Sequence, residues 1–326
     1  METTATRKTA LILGITGGFG SAVANSLAAR GWQVRALHRN PEAGLAMLPA
    51  YDIEWRLGDA MNQVDVCAAA QGVDLIVHGL NPPKYQRWRE LAIPMLANSI
   101  VAAKASGARL VFPGNVYLYG DDAGDVVNEN SPRNPITEKG KIRLEMEQMI
   151  AEGARHGARA IIVRAGDFFG PGGQTSSWFG SAMIKPGKPV RSVIYPGQPE
   201  IAHGWAFLPD VAETVARLAE LEADLPDIEI YHFGGHWLAS ASAMMAAIQR
   251  VVGRKVPLRT LPWPLMKLLT PFSGLMRELM EMRYLWQKPL RLDNSKLLRV
   301  LGEEPHTPLD EAMRITLIGL GCTPSH

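Results

Sequence analysis

Gly14, Gly17 and Gly20, within the run LILGITGGFG, are the residues whose spacing points most directly to chemistry. An apolar stretch, TALILGIT, enters this turn, and SAVANSLAARG leaves it with apolar residues at helical spacing. In such a strand–turn–helix the first glycine permits the tight turn. The second lets backbone amides approach a pyrophosphate, and the third brings helix and strand close. The helix N-terminus adds unsatisfied N–H groups and a dipole that favours an anion. The spacing here is G-x-x-G-x-x-G, so it meets the G-x-G-x-x-G fingerprint in part. An ordinary tight turn is the competing account.

The next strand ends in His38-Arg39-Asn40. A dinucleotide fold that prefers NAD places an Asp or Glu there, on the ribose diol. An arginine instead suits a ribose 2′-phosphate through paired charge-assisted bonds. NADP(H) is therefore favoured as cofactor and NAD(H) stays open; a solvated surface charge is the bland account of Arg39. Arg35 is either a second phosphate contact or a surface residue. Asp59, in RLGD, is placed to accept from an adenine amino group or to cap the next helix. In HGLNPP, the backbone at His78 and Gly79 passes under diphosphate and ribose, while the His78 side chain suits a structural role equally well.

Positioning these residues requires alternating strands and helices. Strands are predicted at Ala10–Ile15, Gln33–Leu37, Ile53–Leu57, Leu75–His78, Arg109–Phe112 and Ala160–Arg164. Helical patterns cover Gly18–Arg30, Met61–Ala70, Arg89–Ser106 and Glu138–His156. The rhythm predicts an α/β fold, a Rossmann-type doubly wound parallel sheet, with ligands at the carboxyl ends of its strands. Gly14, His38, Asp59, His78, Gly114 and Gly166 lie at such ends and should line one crevice. After Gly166 the rhythm breaks into Gly- and Pro-punctuated loops, with a helix at Pro209–Glu222, a strand at Ile228–Phe233 and a last helix at Leu309–Leu320. Residues 1–166 and 208–235 are assigned to the dinucleotide-binding core. A smaller, discontinuous substrate lobe takes 167–207 and 236–308, and 309–326 form a C-terminal helix and tail.

At 326 residues, 47% hydrophobic and 20% charged, the chain has the composition of a folded soluble protein. A net charge of +2 without a dense basic stripe argues against a nucleic-acid partner. No apolar run approaches the ~20 residues of a membrane span. Cys67 and Cys322, far apart in sequence, suit a reducing compartment, so a cytoplasmic location is expected. No Cys/His cluster or carboxylate pair has metal-ligand spacing.

Taken together, these motifs resemble the extended short-chain dehydrogenase/reductase family, in its NAD(P)-dependent epimerase/dehydratase branch. The resemblance rests on Gly14-Ile15-Thr16-Gly17-Gly18-Phe19-Gly20, Asp59, Val116-Tyr117-Leu118-Tyr119-Gly120, Arg164-Ala165-Gly166-Asp167-Phe168-Phe169-Gly170-Pro171 and Leu208-Pro209-Asp210-Val211-Ala212. It implies NAD(P) in the N-terminal fold and substrate under the C-terminal lobe, with Asp167 and Phe168 shaping the nicotinamide pocket. A helix-mediated homodimer is compatible with such a fold.

The family's Ser/Thr, Tyr and Lys are all replaced. Asn115 stands at the Ser/Thr position. In PITEKGKIRLEME, Lys139 stands at the tyrosine, Arg143 at the lysine, and Glu147 is retained. Asn115 can donate to a carbonyl oxygen. Arg143 suits ribose hydroxyls but cannot act as an acid near neutral pH. Lys139 would transfer a proton if partial desolvation and the neighbouring Arg143 lowered its pKa. Against this, Glu138, Lys139, Lys141 and Arg143 also fit a solvated helix face. Tyr85, His203, Tyr117 and Tyr119 are further proton-transfer candidates, one of the last two packing inward. Trp178, Phe179, Met183, Trp205, Trp263, Met266, Met276, Met280 and Tyr284 would line an apolar substrate cavity or form the core of the smaller lobe.

The leading expectation is hydride transfer between NADP(H) and a carbonyl or related C=X group of a small organic substrate with an apolar portion. The first alternative is a sugar-type epimerase or dehydratase using bound NAD(P). The second is a non-catalytic dinucleotide-binding sensor or interaction protein.

Overall fold

The computed structural model describes residues 7–48, 52–82, 87–172, 177–270, 277 and 280–322. Through the first half, strand and helix alternate: β1 (Thr9–Leu13), α1 (Gly18–Ala29), β2 (Gln33–His38), α2 (Pro41–Met47), β3 (Ile53–Leu57), α3 (Gln63–Ala69), β4 (Leu75–His78), α4 (Trp88–Ser106) and β5 (Arg109–Gly114). A short β6 (Val126–Val127), α5 (Glu138–Arg155) and β7 (Arg159–Arg164) follow. The second half holds β8 (Asp167–Phe169), β9 (Val193–Tyr195), β10 (His203–Phe207), α6 (Leu208–Glu220) and β11 (Ile228–His232). It continues with β12 (His236–Leu238), α7 (Ala241–Val252), β13 (Leu258–Thr260), α8 (Trp263–Leu269) and β14 (Arg291–Leu292). Helices Ser295–Leu301 and Leu309–Gly319 close the described chain.

Seven parallel strands make the main sheet, in the order β11-β7-β5-β4-β1-β2-β3. The chain winds outward from β1 in both directions, so the switch point lies between β1 and β4. Side chains alternate across the sheet, as the pleat requires. Ala10 and Ile12 pack with Phe19, Val23 and Leu27 of α1 and Val211 and Val215 of α6. Leu11 and Leu13 pack on the opposite face with Val66 of α3, Leu96 of α4, and Ile142 and Met146 of α5. Burying each such leucine or valine stabilises the fold by about 1.5–3 kcal/mol.

A second core covers the carboxyl ends of the strands. Phe169, Phe179, Trp205, Phe207, Met244, Trp286 and Leu317 are buried together there. The three-stranded sheet β12-β10-β8 and the pair β13-β9 frame it. Much of the aromatic and methionine content of the second half is therefore core. Phe179, Met183 and Trp205 are buried in it, while Met276 lies outside the described residues.

The long elements fall within a few residues of their predicted bounds. Helix α2 was not anticipated. Pro41 opens it, and the Asn40 side chain accepts from the Ala43 N–H at 3.0 Å, a sufficient start signal for a short helix. The irregular region after residue 236 contains α7, α8 and short strands. Two- and three-residue strands carry no readable alternation, because their partners are distant in sequence: Leu258 pairs Val193, and Arg291 pairs Val126.

Candidate functional site

A cleft of about 720 Å³ runs along the carboxyl ends of β1–β5 and β7. Its floor is the glycine turn. Gly14 has φ +84°, and a Cβ there would stand 2.7 Å from the Gly79 carbonyl oxygen. A Cβ on Gly20 would lie 2.3 Å from the Gly14 oxygen. The Gly17 N–H donates to the Gly14 carbonyl at 3.0 Å, and the Gly79 N–H donates to Leu13 at 2.8 Å. Helix α1 starts at Gly18 without a side-chain cap among the described residues and without an acid in its first turn. Free helix N–H groups beside a floor too close for any Cβ are what a dinucleotide diphosphate requires, so the residues present fit such a group.

Of the residues expected at the cofactor, Gly14, Thr16, Gly17, Gly18, Phe19, His38, Arg39, Asp59, Gly79, Asn115, Arg143, Gly166, Asp167 and Phe168 line this cleft. Gly20, His78, Lys139 and His203 lie outside its lining. Gly20 sits beneath the turn, where its missing Cβ admits Gly14. Tyr85 lies outside the described residues.

The end over β2 and β3 is polar. Arg39 is exposed at the rim. Arg35 is not a second phosphate contact. Its Nε donates to Glu54 at 2.8 Å, and Nη1 donates to the Ala69 and Gln71 carbonyls at 2.9 and 2.7 Å. Asp59 does not cap α3; it accepts from the Met61 N–H at 3.0 Å within a turn, and Asn62 is the cap. Phe19 and Phe168, from α1 and β8, stack with centroids 6.2 Å apart.

The opposite end is built from side chains. Asn115 Oδ1 accepts from the Tyr117 N–H at 3.1 Å, which bends the chain after β5 across the cleft. Behind it Arg164 donates to the Asn115 carbonyl at 2.6 Å and to Glu147 at 2.9 Å. Both Arg164 and Glu147 are buried, at 1% and 4% exposure. Tyr119 packs inward, its hydroxyl 3.0 Å from His232 Nε2, whereas Tyr117 lines the cleft. Arg143 is held by the Pro113 carbonyl, with its guanidinium 4.6 Å from the Phe112 ring centroid. His78 lies beneath the sheet surface, Nδ1 at 2.8 Å from Ser99 Oγ. Burial, aided by the Arg143 charge, holds its pKa down to about 3. The side chain of His78 is thus structural, and its neighbour Gly79 is the part that meets the cleft.

Lys139 and Arg143 are not a solvated face: they are 3% and 7% exposed, while Glu138 and Lys141 point to solvent. Lys139 does not reach the cleft either. Its Nζ pairs with Glu281 at 2.9 Å, and Glu281 also accepts from the Lys139 N–H at 2.9 Å. Burial lowers the Lys139 pKa and the Glu281 bond opposes that shift. The anticipated depression by Arg143 falls on His78 instead. The same short segment carries Tyr284, whose hydroxyl donates to the Tyr117 carbonyl at 3.2 Å, and Trp286, which stacks on His203 at 4.0 Å. His203 Nε2 in turn meets Asp167 Oδ2 at 2.7 Å.

Sequence reasoning missed Trp88, Leu91 and Met95, which reach the cleft from α4, and Ser177 and Leu208. The spacing of Trp88, Leu91 and Met95 over two turns was a usable signal for one apolar helix face. Glu281 carried no local signal, since its role depends on a residue 142 positions away.

The NAD dependent epimerase/dehydratase family model matches residues 10–234. The chain belongs to this family. Protein YeeZ of Escherichia coli (strain K12) is 26% identical over 187 residues, 56% of this chain and 66% of that protein. The dTDP-6-deoxy-L-talose 4-dehydrogenase (NAD(P)(+)) of Kitasatospora kifunensis is 28% identical over 184 residues, 53% of this chain and 57% of that protein. The matches thus span less than two thirds of the length of these relatives. MoeE5 in complex with UDP-glucose and NAD is similar in fold, with TM-score 0.71 and 18% identity over 96% of this chain and 98% of that one. The UDP-glucuronic acid 4-epimerase of Bacillus cereus, in complex with UDP-glucuronic acid and NAD, has TM-score 0.73 and 16% identity over the same shares.

The preference for NADP(H) expected from Arg39 is corrected by these comparisons. The similar complexes that name a dinucleotide carry NAD. The structure removes one support for that expectation, since Arg35 is committed to Glu54 and to carbonyls. No metal-binding group of three or more His, Cys, Asp or Glu occurs among the described residues. No described helix is long and apolar enough to cross a membrane.

Proposed function

We propose that the protein is an NAD-dependent enzyme that moves hydride to and from a hydroxyl-bearing carbon of a sugar-type substrate. The observation that carries this reading is the continuity of the cleft from the glycine turn to Asn115, Arg143, Asp167 and Trp178. The N–H groups of α1 would hold the diphosphate of a nicotinamide dinucleotide, and Arg143 would hold its ribose; the group would supply a hydride acceptor and donor. Asn115 donates to the substrate oxygen, and the Arg164–Glu147 pair fixes the loop that presents it. Trp178 and Tyr117 offer apolar faces against which a sugar ring packs.

The names of the related proteins favour this sugar-type chemistry over the simple carbonyl reduction expected first, and nucleotide sugars are the substrates to try. Titrating the full chain with NAD+ by tryptophan fluorescence tests the cofactor. Following UDP-glucose, UDP-glucuronic acid and dTDP-hexoses by proton NMR tests the chemistry, including epimerisation that leaves no net NADH. Saturable NAD+ binding with a changed hexose is the expected result. Absence of NAD+ binding overturns the reading, and binding without change in any hexose overturns its catalytic part.

A further inference from the structure

We propose that Asp167 and His203 form the proton-transfer pair of this cleft, Asp167 meeting the substrate hydroxyl and His203 positioning it. This rests on the hydride-transfer reading above. Among the described residues lining the cleft, the ionisable ones are His38, Arg39, Asp59, Tyr117, Arg143 and Asp167. His38 and Arg39 follow β2, and Asp59 follows β3. Four strand spacings of about 4.8 Å separate β2 from β7 and five separate β3 from it, so these residues sit ~19 Å or more from the catalytic end. Arg143 stays charged at any working pH and cannot give up a proton. Lys139, at the position the family gives to tyrosine, is bound to Glu281. Asp167 and Tyr117 remain.

Asp167 is the better equipped of the two. It follows β7 at the strand's carboxyl end, 14% exposed, with one carboxylate oxygen on His203. The imidazole is clamped between partners: it stacks on Trp286 at 4.0 Å and 7°, and meets Trp205 at 5.2 Å. These rings are uncharged. The ionisable group facing Asp167 from β9 is Tyr195, whose pKa is raised by burial and by the Asp167 charge. A fixed imidazole holds the carboxylate at one angle and stabilises its charge, as second-layer partners do in acid–base sites.

The step balances simply. In oxidation the substrate O–H proton passes to Asp167, the hydride leaves the same carbon for the oxidised nicotinamide, and the C–O single bond becomes a carbonyl. Reduction returns both. Oxidation therefore needs Asp167 unprotonated, and its rate rises with pH to a plateau.

Three single variants, Asp167→Asn, His203→Asn and Tyr117→Phe, test the pair in the full chain with NAD+, using UDP-glucose and UDP-glucuronic acid as probes. Asp167→Asn is expected to lower turnover by about 100-fold or more and to abolish the rising limb of the pH profile. His203→Asn should shift that limb and cost less. Full activity and an unchanged profile in Asp167→Asn overturn the proposal, as does a larger loss in Tyr117→Phe than in Asp167→Asn. A second readout is independent of turnover: the His203 ring signal in carbon-13-labelled protein with NAD+ bound. That signal is expected to move in Asp167→Asn, because Asp167 Oδ2 is the atom that meets the ring nitrogen at 2.7 Å. An unchanged ring signal overturns the pair. Failure to bind NAD+ or to change any hexose counts against the functional reading itself, and the ring signal then decides the pair alone.

Discussion

The two ends of the cleft are made in different ways. At the glycine turn the working atoms are backbone, drawn from β1, α1 and the residue after β4, and the fit depends on what is missing from Gly14 and Gly20. At the catalytic end the working atoms are side chains, brought by β5, α5, β7, β10 and the 281–286 segment. A backbone site of the first kind is local and tolerates almost no added volume. A side-chain site of the second kind is assembled at long range. Behind it Glu147 of α5 holds Arg164 of β7 at 2.9 Å. The comparison teaches that the two ends of the cleft depend on different residues and can be perturbed separately.

The separation is most severely tested at the buried scaffold. Glu147→Ala removes the buried carboxylate paired with the Arg164 guanidinium, both being almost fully buried, and should cost about 3–5 kcal/mol in urea unfolding. A loss under about 1 kcal/mol would mean that the catalytic end does not hang on this pair.

Acid should act next, through histidines buried behind both ends. Burial holds His78 and His232 to about 3 in the folded state, against an ordinary value of 6.5. Their folded pKa is depressed, so the unfolded chain binds more protons. Their stabilisation is complete above about pH 6.5 and fades as pH falls toward the folded values. Each should withdraw about 2 kcal/mol by about pH 5. Chemical unfolding at three pH values checks this, and a flat stability over that window would contradict it.

Gly14→Ala attacks the other end. The added Cβ meets the Gly79 carbonyl in a left-handed conformation, which should cost about 1–3 kcal/mol and abolish NAD+ binding at millimolar concentration. Retained binding would break the backbone account. Lys139→Met sharpens the catalytic end. Methionine fills the buried site but leaves the partly exposed Glu281 without its ion-pair partner, so stability should fall by about 1–3 kcal/mol while turnover changes by less than threefold, in contrast to Asp167→Asn. A hundredfold loss of turnover in Lys139→Met would restore the lysine to the reaction. The smallest effect is expected at Arg39. Arg39→Ala should change the NAD+ dissociation constant by no more than about twofold, because an exposed rim charge has little to hold on a plain ribose.

Much of the fold could be read from the chain. The main strands and α1, α4, α5 and α6 are long and periodic, so their residues state which face is buried. The glycine turn was legible because its signal and its function share the same few residues. Asn115, Arg143 and Asp167, singled out by motif position, line the cleft. The partners that define the chemistry were not legible: the Lys139–Glu281 bond, the His203–Asp167 contact and the Arg35–Glu54 pair each join segments with no local sign of attraction. An ion pair depends on distance in space, which periodicity does not encode.

By itself, then, the sequence determined the parallel sheet and the tight glycine turn between β1 and α1, because these depend on residue type and short-range spacing. The tertiary structure decided which charges are spent. It locked Lys139 to Glu281, buried His78, turned Arg35 away from the cleft and set Asp167 against His203. Burial and proximity determine whether a charged side chain serves as ligand, acid or brace, and both arise when distant segments pack.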